Sequence, residues 1–196
     1  MAKSLYSSLL FVSSNQDKLD EYRILLNLPS LRLAKVRFEE PQHVTIERLV
    51  EEKINQVKDS LGSNPFFVEH TGLSIYAWNQ LPGGLTGVFM DRIGNDGICR
   101  MMQSYSGTER IAVAQIVLGY HFPNSEQGNI LFHGEMHGKI AEKPRGNYNF
   151  GWDPIFIPDG HEKTYAEMSL DEKNQTSMRR KVSDSFKQFL ERNFET

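Results

Sequence analysis

The chain has 196 residues, 39% of them hydrophobic and 24% charged, which fits a soluble globular protein with a sizeable core. Twenty-two basic residues against 25 acidic ones give a net charge of −3, which disfavours general nucleic-acid binding, and the single cysteine, Cys99, excludes an internal disulfide framework. No window approaches the ~18 consecutive apolar residues of a membrane helix, and no start resembles a secretory signal, so a cytoplasmic protein without membrane partners is expected.

Ser8 to Val12 is an apolar run that ends in Ser13-Ser14-Asn15, which predicts a buried strand running into a helix cap. Leu19, Tyr22, Arg23 and Leu26 follow at helical spacing, so a first helix is predicted over 16–27, stopped by Pro29. Leu31 to Phe38 alternates apolar and polar residues and predicts a second strand. Thr45 can cap a second helix with Ile46, Leu49, Val50, Ile54, Val57 and Leu61 on its apolar stripe, ended by Gly62. Phe66 to Val68 reads as a short buried strand, and Leu73 to Ala77 continues extended after a bend at Gly72.

The segment 82–87 reads as a loop, followed by short helices over 88–93 and 98–105 around Gly94 to Gly97. Arg110 to Tyr120 and Asn129 to Ile140 predict core strands, the latter with bulges or close backbone approaches at Gly134 and Gly138. A loop over 144–151, a short strand over 155–157 and a closing amphipathic helix over 177–194 complete the chain, with Val182, Phe186, Phe189 and Leu190 inward. No repeat, linker or low-complexity tract divides it, so one domain over 1–196 is expected. Helices and strands alternate first, then strands cluster, which predicts an α/β protein with a mixed sheet.

Several familiar chemistries are absent. There is no G-x-G-x-x-G after a strand, and Gly146 to Gly151 has phosphate-loop spacing but continues with Trp152 instead of Lys. His133 and His137 fall in a predicted strand, where residues four apart lie ~13 Å from each other, too far to share one metal.

Four segments are polar where a core pattern predicts otherwise. Ser13 to Lys18 lies at a strand-to-helix junction, where free backbone N–H groups, the helix dipole and the Lys18 ammonium suit phosphate; an ordinary helix cap uses the same residues. Glu39-Glu40 follows the second strand and can hold Mg²⁺, which prefers oxygen ligands, or form a solvated turn. Glu69-His70 ends a buried strand, and an imidazole with a reference pKa of about 6.5 can accept a proton near neutral pH. The tail from Asn147 to Pro154, followed by Thr164 to Met168 and Glu172 to Arg179, sets aromatics beside Asp, Lys and Arg. It suits a flat heteroaromatic ring, though each aromatic there serves equally well as core.

In this order the segments resemble the inosine triphosphate pyrophosphatase family. The resemblance rests on Ser13-Ser-Asn15-Gln-Asp-Lys18-Leu-Asp-Glu21, Glu69-His70-Thr71-Gly72-Leu73 and Leu81-Pro-Gly83. It continues through Phe132-His-Gly134 to Ile140, Pro144-Arg-Gly146, Phe150-Gly-Trp152-Asp153-Pro-Ile-Phe156, Thr164 to Met168 and Glu172-Lys173-Asn174. It implies Mg²⁺-dependent hydrolysis of deaminated purine nucleoside triphosphates to monophosphate and pyrophosphate. It also implies a homodimer and an elongated mixed sheet flanked by helices, with two lobes and a central cleft.

By the same resemblance, Ser13, Asn15, Lys18 and Lys53 match triphosphate-binding positions. Glu40 matches the metal-binding glutamate, with Glu69 beside it as a second metal candidate. Phe150, Trp152, Asp153, Lys173, Ser177 and Arg179 match positions of the base and sugar pocket. Lys18 and His70 are the expected catalytic residues. His70 stands where the family has aspartate and Met178 where it has histidine. These two departures keep two alternatives open: a nucleotide-binding homologue without turnover, and a pyrophosphatase with shifted base preference.

Overall fold

A computed structural model describes residues 8–123, 128–147 and 150–194. Among them, seven strands form one mixed sheet: β1 (Leu10–Val12), β2 (Arg32–Ala34), β3 (Phe66–Ile75), β4 (Pro82–Gly83), β5 (Ile111–His121), β6 (Ile130–Ile140) and β7 (Phe156–Pro158). The spatial order is β2-β1-β3-β5-β6-β7, with β4 paired to β3 off that path. β2, β1 and β3 run parallel, and all other pairs are antiparallel. β3 therefore belongs to both halves of the sheet. The helices are α1 (Gln16–Leu25), α2 (Ile46–Leu61), α3 (Thr86–Met101), α4 (Leu170–Thr176) and α5 (Met178–Phe194).

The apolar stripes account for the packing. Ile46, Val50, Ile54 and Val57 of α2 bury against Val12, Phe66, Val68 and Val117 on one face of the sheet. The larger core collects Leu19 and Tyr22 of α1, Phe67 of β3, Ile98 and Cys99 of α3, and Val182, Phe186 and Leu190 of α5. The α/β architecture with a mixed sheet agrees with the sequence reading.

Boundaries differ where pairing, which a single strand's pattern does not contain, decides them. β2 stops at Ala34 instead of Phe38, because its partner β1 ends there, with Val12 opposite Ala34. No bend occurs at Gly72: β3 runs unbroken against β5 from Phe66 to Ile75, and Gly72 is needed because a Cβ there would sit 2.6 Å from the Gly83 carbonyl oxygen. The 82–87 loop contains the two-residue strand β4 and the first turn of α3.

The two short helices are one helical segment kinked at Gly94 alone, whose φ of 62° and ψ of −173° lie outside the helical region. β6 pairs with β5 without a bulge, so Gly134 and Gly138 mark close approaches only: a Cβ would lie 2.3 Å from the Met178 and Ile157 carbonyl oxygens, respectively. A 3₁₀ turn over Asp153–Ile155 precedes β7. The expected 144–151 loop falls partly on residues 148 and 149, outside the described residues.

Candidate active site

The carboxyl ends of β1 and β2 and the middle of β3 open into a cleft, as the parallel half of an α/β sheet leads one to expect. One cavity, of about 300 Å³, is lined by Lys18, Glu40, Lys53, Glu69, His70, Thr86, Met90, Phe150 to Asp153, Lys173 and Ser177 to Arg179. A second, of about 910 Å³, shares Lys18, Glu40, Lys53 and Glu69 with it and continues past Ser13, Ser14 and Asn15. Every site residue expected from the sequence lines one cavity or the other.

Asn15 caps α1: its Oδ1 accepts the Lys18 backbone N–H at 3.1 Å, and Ser13 Oγ accepts the Asn15 N–H at 3.1 Å. The cap reading of this segment holds, and the capped end faces the larger cavity.

Glu69 sits at the centre of the charge. Its side chain is 2% exposed; Lys18 Nζ reaches Oε1 at 2.7 Å, Arg179 donates from Nε and Nη2 at 3.2 Å each, and the Tyr22 hydroxyl donates to Oε2 at 2.6 Å. Arg179 also donates from Nη1 to Glu21 Oε2 at 2.7 Å. Burial pushes the Glu69 carboxyl up, but Arg179 and Lys18 together hold it well below the usual carboxylate range. Both oxygens are thus enclosed by cations and a phenol. The expectation that Glu69 assists Glu40 on a metal does not fit this geometry, because a cation there would have to displace an ion pair. Arg179, expected in the base and sugar pocket, lines the cavity with its guanidinium bound to carboxylates.

Glu40 is different. Its side chain is 49% exposed, with Lys53 Nζ at 2.5 Å and His70 Nδ1 at 3.7 Å. Burial pushes its carboxyl up, but the adjacent His70 ring and the Lys53 ammonium outweigh this and leave it lowered to about 2. His70 Nε2 lies 2.9 Å from the Gly84 carbonyl oxygen, which can only accept, so Nε2 carries the proton. Lys53 Nζ, which can only donate, lies 3.1 Å from Nδ1, so that nitrogen presents its lone pair to the ammonium. Among the described residues no three His, Cys, Asp or Glu side chains gather as a metal cage. The donor chemistry fits Mg²⁺ through Glu40, since this ion is commonly held by one or two carboxylates together with substrate phosphates and water.

At the other end, Phe150 is half-buried and Lys173 Nζ lies 5.4 Å from its ring centroid, while Lys173 forms an ion pair with buried Asp153. Burial raises the Asp153 carboxyl, and Lys173 offsets only part of that. Trp152 is 7% exposed, edge-on to Phe156 and part of the core, so it walls the cavity while the less buried Phe150 is the aromatic that can face a ligand. Ser177 is buried, and its Oγ accepts the Arg180 N–H. Sequence reasoning missed the α3 wall, made by Thr86, Gly87, Met90 and Asp91, and missed Lys35 and Arg37 beyond β2. Only the alternation of the 31–38 segment hinted at the latter pair. Of the two histidines set aside for metal, His133 lies 3.5 Å from Glu47 and His137 lies 3.3 Å from Glu135.

A cleft with a hydrogen-bonded helix N-terminus and paired lysines at one end, and an aromatic wall with an Asp–Lys pair at the other, defines an open-sheet α/β protein with one polar cleft. The chain belongs to the Ham1 family, whose family model matches residues 9–189. It is 33% identical over 186 residues to the dITP/XTP pyrophosphatase of Methanopyrus kandleri, covering 94% of this chain and 96% of the relative. It is 36% identical over 182 residues to the inosine triphosphate pyrophosphatase of Aspergillus fumigatus, covering 92% and 93%. Its fold is similar to that of a HAM1 protein from Coxiella burnetii, with a TM-score of 0.78 at 25% identity over 94% of this chain and 98% of the other. The resemblance drawn from the motifs is borne out.

Proposed function

We propose that the protein hydrolyses deaminated purine nucleoside triphosphates, such as dITP, ITP and XTP, to the monophosphate and pyrophosphate with Mg²⁺. The observation that carries the reading is the continuity of the cleft: the Phe150 end and the Ser13–Lys18 end share Lys18, Glu40 and Lys53. The relatives' activities, named above, support the substrate class.

Water adds across the α–β phosphoanhydride bond and pyrophosphate leaves. The obstacle is repulsion between the attacking water and a polyanion, so positioning and cationic stabilisation carry the catalysis. Ser13, Asn15 and the N-terminus of α1 face the phosphates, and Lys18 and Lys53 hold their charge. Glu40 would hold Mg²⁺, which when bound neutralises charge on the leaving group. When Lys53 turns from His70 to phosphate, the Nδ1 lone pair becomes available to orient the water or take its proton. Phe150 stacks on the base, with Lys173, Asp153 and Ser177 beside it. Homodimer formation belongs to the same reading, supported by the resemblance, and sedimentation equilibrium tests it.

The test is pyrophosphate release from dITP, ITP and XTP, with dGTP and dATP as comparisons. Release from the deaminated nucleotides, lost on chelating the divalent cation and lowered at least tenfold (about 1.4 kcal/mol of barrier) in Glu40→Ala, is expected. No release from any of them by the wild-type chain contradicts the reading.

A further inference from the structure

The charges at the centre of the cleft cancel. Lys18 pairs with Glu69, Lys53 with Glu40, and Arg179 with Glu69 and Glu21. A condensed phosphate chain entering this region therefore meets little net positive charge from these groups.

The larger cavity runs on, however, and there its lining includes Lys35 and Arg37. Both are exposed, and neither has an ion pair or side-chain hydrogen bond among the described residues. Their placement is fixed by their neighbours: Ala34, Val36 and Phe38 pack on the core under α2, so the alternate residues are turned away from it. Asp91 of α3 is the remaining acidic side chain of the lining, so the cations outside the central pairs outnumber the carboxylates there by one. The two cations differ in kind. A guanidinium offers a planar fork that grips phosphate through two bonds, and an ammonium is a mobile point charge.

We propose that Lys35 and Arg37 form a distal anion subsite for condensed phosphate, beyond the central ion pairs. Its occupant is either the outer phosphates of a nucleotide tail or a free chain such as pyrophosphate or tripolyphosphate. The direction of the nucleotide rests on the function proposed above; the binding of free chains does not. The subsite adds net positive charge beyond the balanced central pairs, so it favours long phosphate chains over short ones.

Calorimetry on the whole chain tests this with inorganic tripolyphosphate, pyrophosphate and inosine monophosphate as probes. It is combined with the KM for dITP, in wild type and in Lys35→Gln/Arg37→Gln. Both side chains are exposed, and equal melting temperatures and equal inosine monophosphate affinity verify the variant's fold. Tripolyphosphate affinity is expected to fall about tenfold in the variant, the effect of losing charge-assisted bonds, and KM to rise at nearly constant kcat.

A rise in KM without loss of tripolyphosphate affinity assigns the subsite to the nucleotide tail. Loss of tripolyphosphate affinity without a rise in KM assigns it to free chains. Wild-type values for both overturn the proposal. Failure of wild type to hydrolyse dITP would count against the proposed function, and the tripolyphosphate measurement remains readable in that case.

Discussion

Glu69 shows how far a single residue's role depends on what reaches it. Its type and position, at a buried strand beside His70, made it a metal candidate, yet Arg179 arrives from 110 residues away and closes both oxygens. No local pattern encodes that partner, whereas Asn15, Lys18, Glu40 and His70 stood out as polar residues beside buried strand segments, and Lys53 was marked only by the family resemblance. Removing one member of a buried pair leaves the other charge stranded. Glu69→Gln is therefore expected to lower stability by about 3–5 kcal/mol, read as a fall in the urea midpoint; an unchanged midpoint would show that Glu21 and solvent suffice for Arg179.

Glu40 makes a different prediction, in pH. Its carboxyl is held at about 2 against an ordinary 4.5, so the folded state binds its proton less readily than the unfolded chain. Its contribution to stability is complete above the unfolded value and fades as pH falls from about 4.5 towards about 2. Urea midpoints measured across that window should decline less steeply in Glu40→Gln than in wild type. Parallel declines would assign the acid sensitivity to other carboxylates.

At the scale of elements, apolar periodicity located the long strands and helices, and the failures have physical causes. α4 escaped because none of its residues is buried, so it has no apolar stripe; its signal was instead the capping box in which Ser169 Oγ accepts the Glu172 N–H and the Glu172 side chain accepts the Ser169 N–H. The alternation of 31–38 was real, but only its first part finds a partner strand, and the rest becomes the cleft wall that carries Lys35 and Arg37. The kink of α3 turns on Gly94, whose backbone conformation is almost exclusive to glycine although a Cβ there would meet nothing within 4 Å. Gly94→Ala is expected to cost of the order of 1–3 kcal/mol in urea unfolding, from backbone strain alone. Gly134→Ala tests the opposite case, an ordinary backbone with no room: the Met178 carbonyl must move, and Met178 lines the Phe150 end of the cleft. It should raise KM for dITP, and an unchanged KM would show that the shift is absorbed elsewhere.

The whole molecule places a parallel half-sheet beside an antiparallel one, with β3 common to both. β3 brings Glu69 and His70 to the cleft from its middle, α1 and the post-β2 segment supply the Ser13–Lys18 end, and the chain from Phe150 to Arg179 returns to build the aromatic end. That the separated motifs meet in one hollow is the central claim. It is tested most directly by a crystal structure with Mg²⁺ and a non-hydrolysable dITP analogue. The account predicts the purine ring against Phe150 and the phosphates between Lys18 and Lys53, with the metal on Glu40. A nucleotide seated elsewhere, or bound with its phosphates at the Phe150 end, would contradict it.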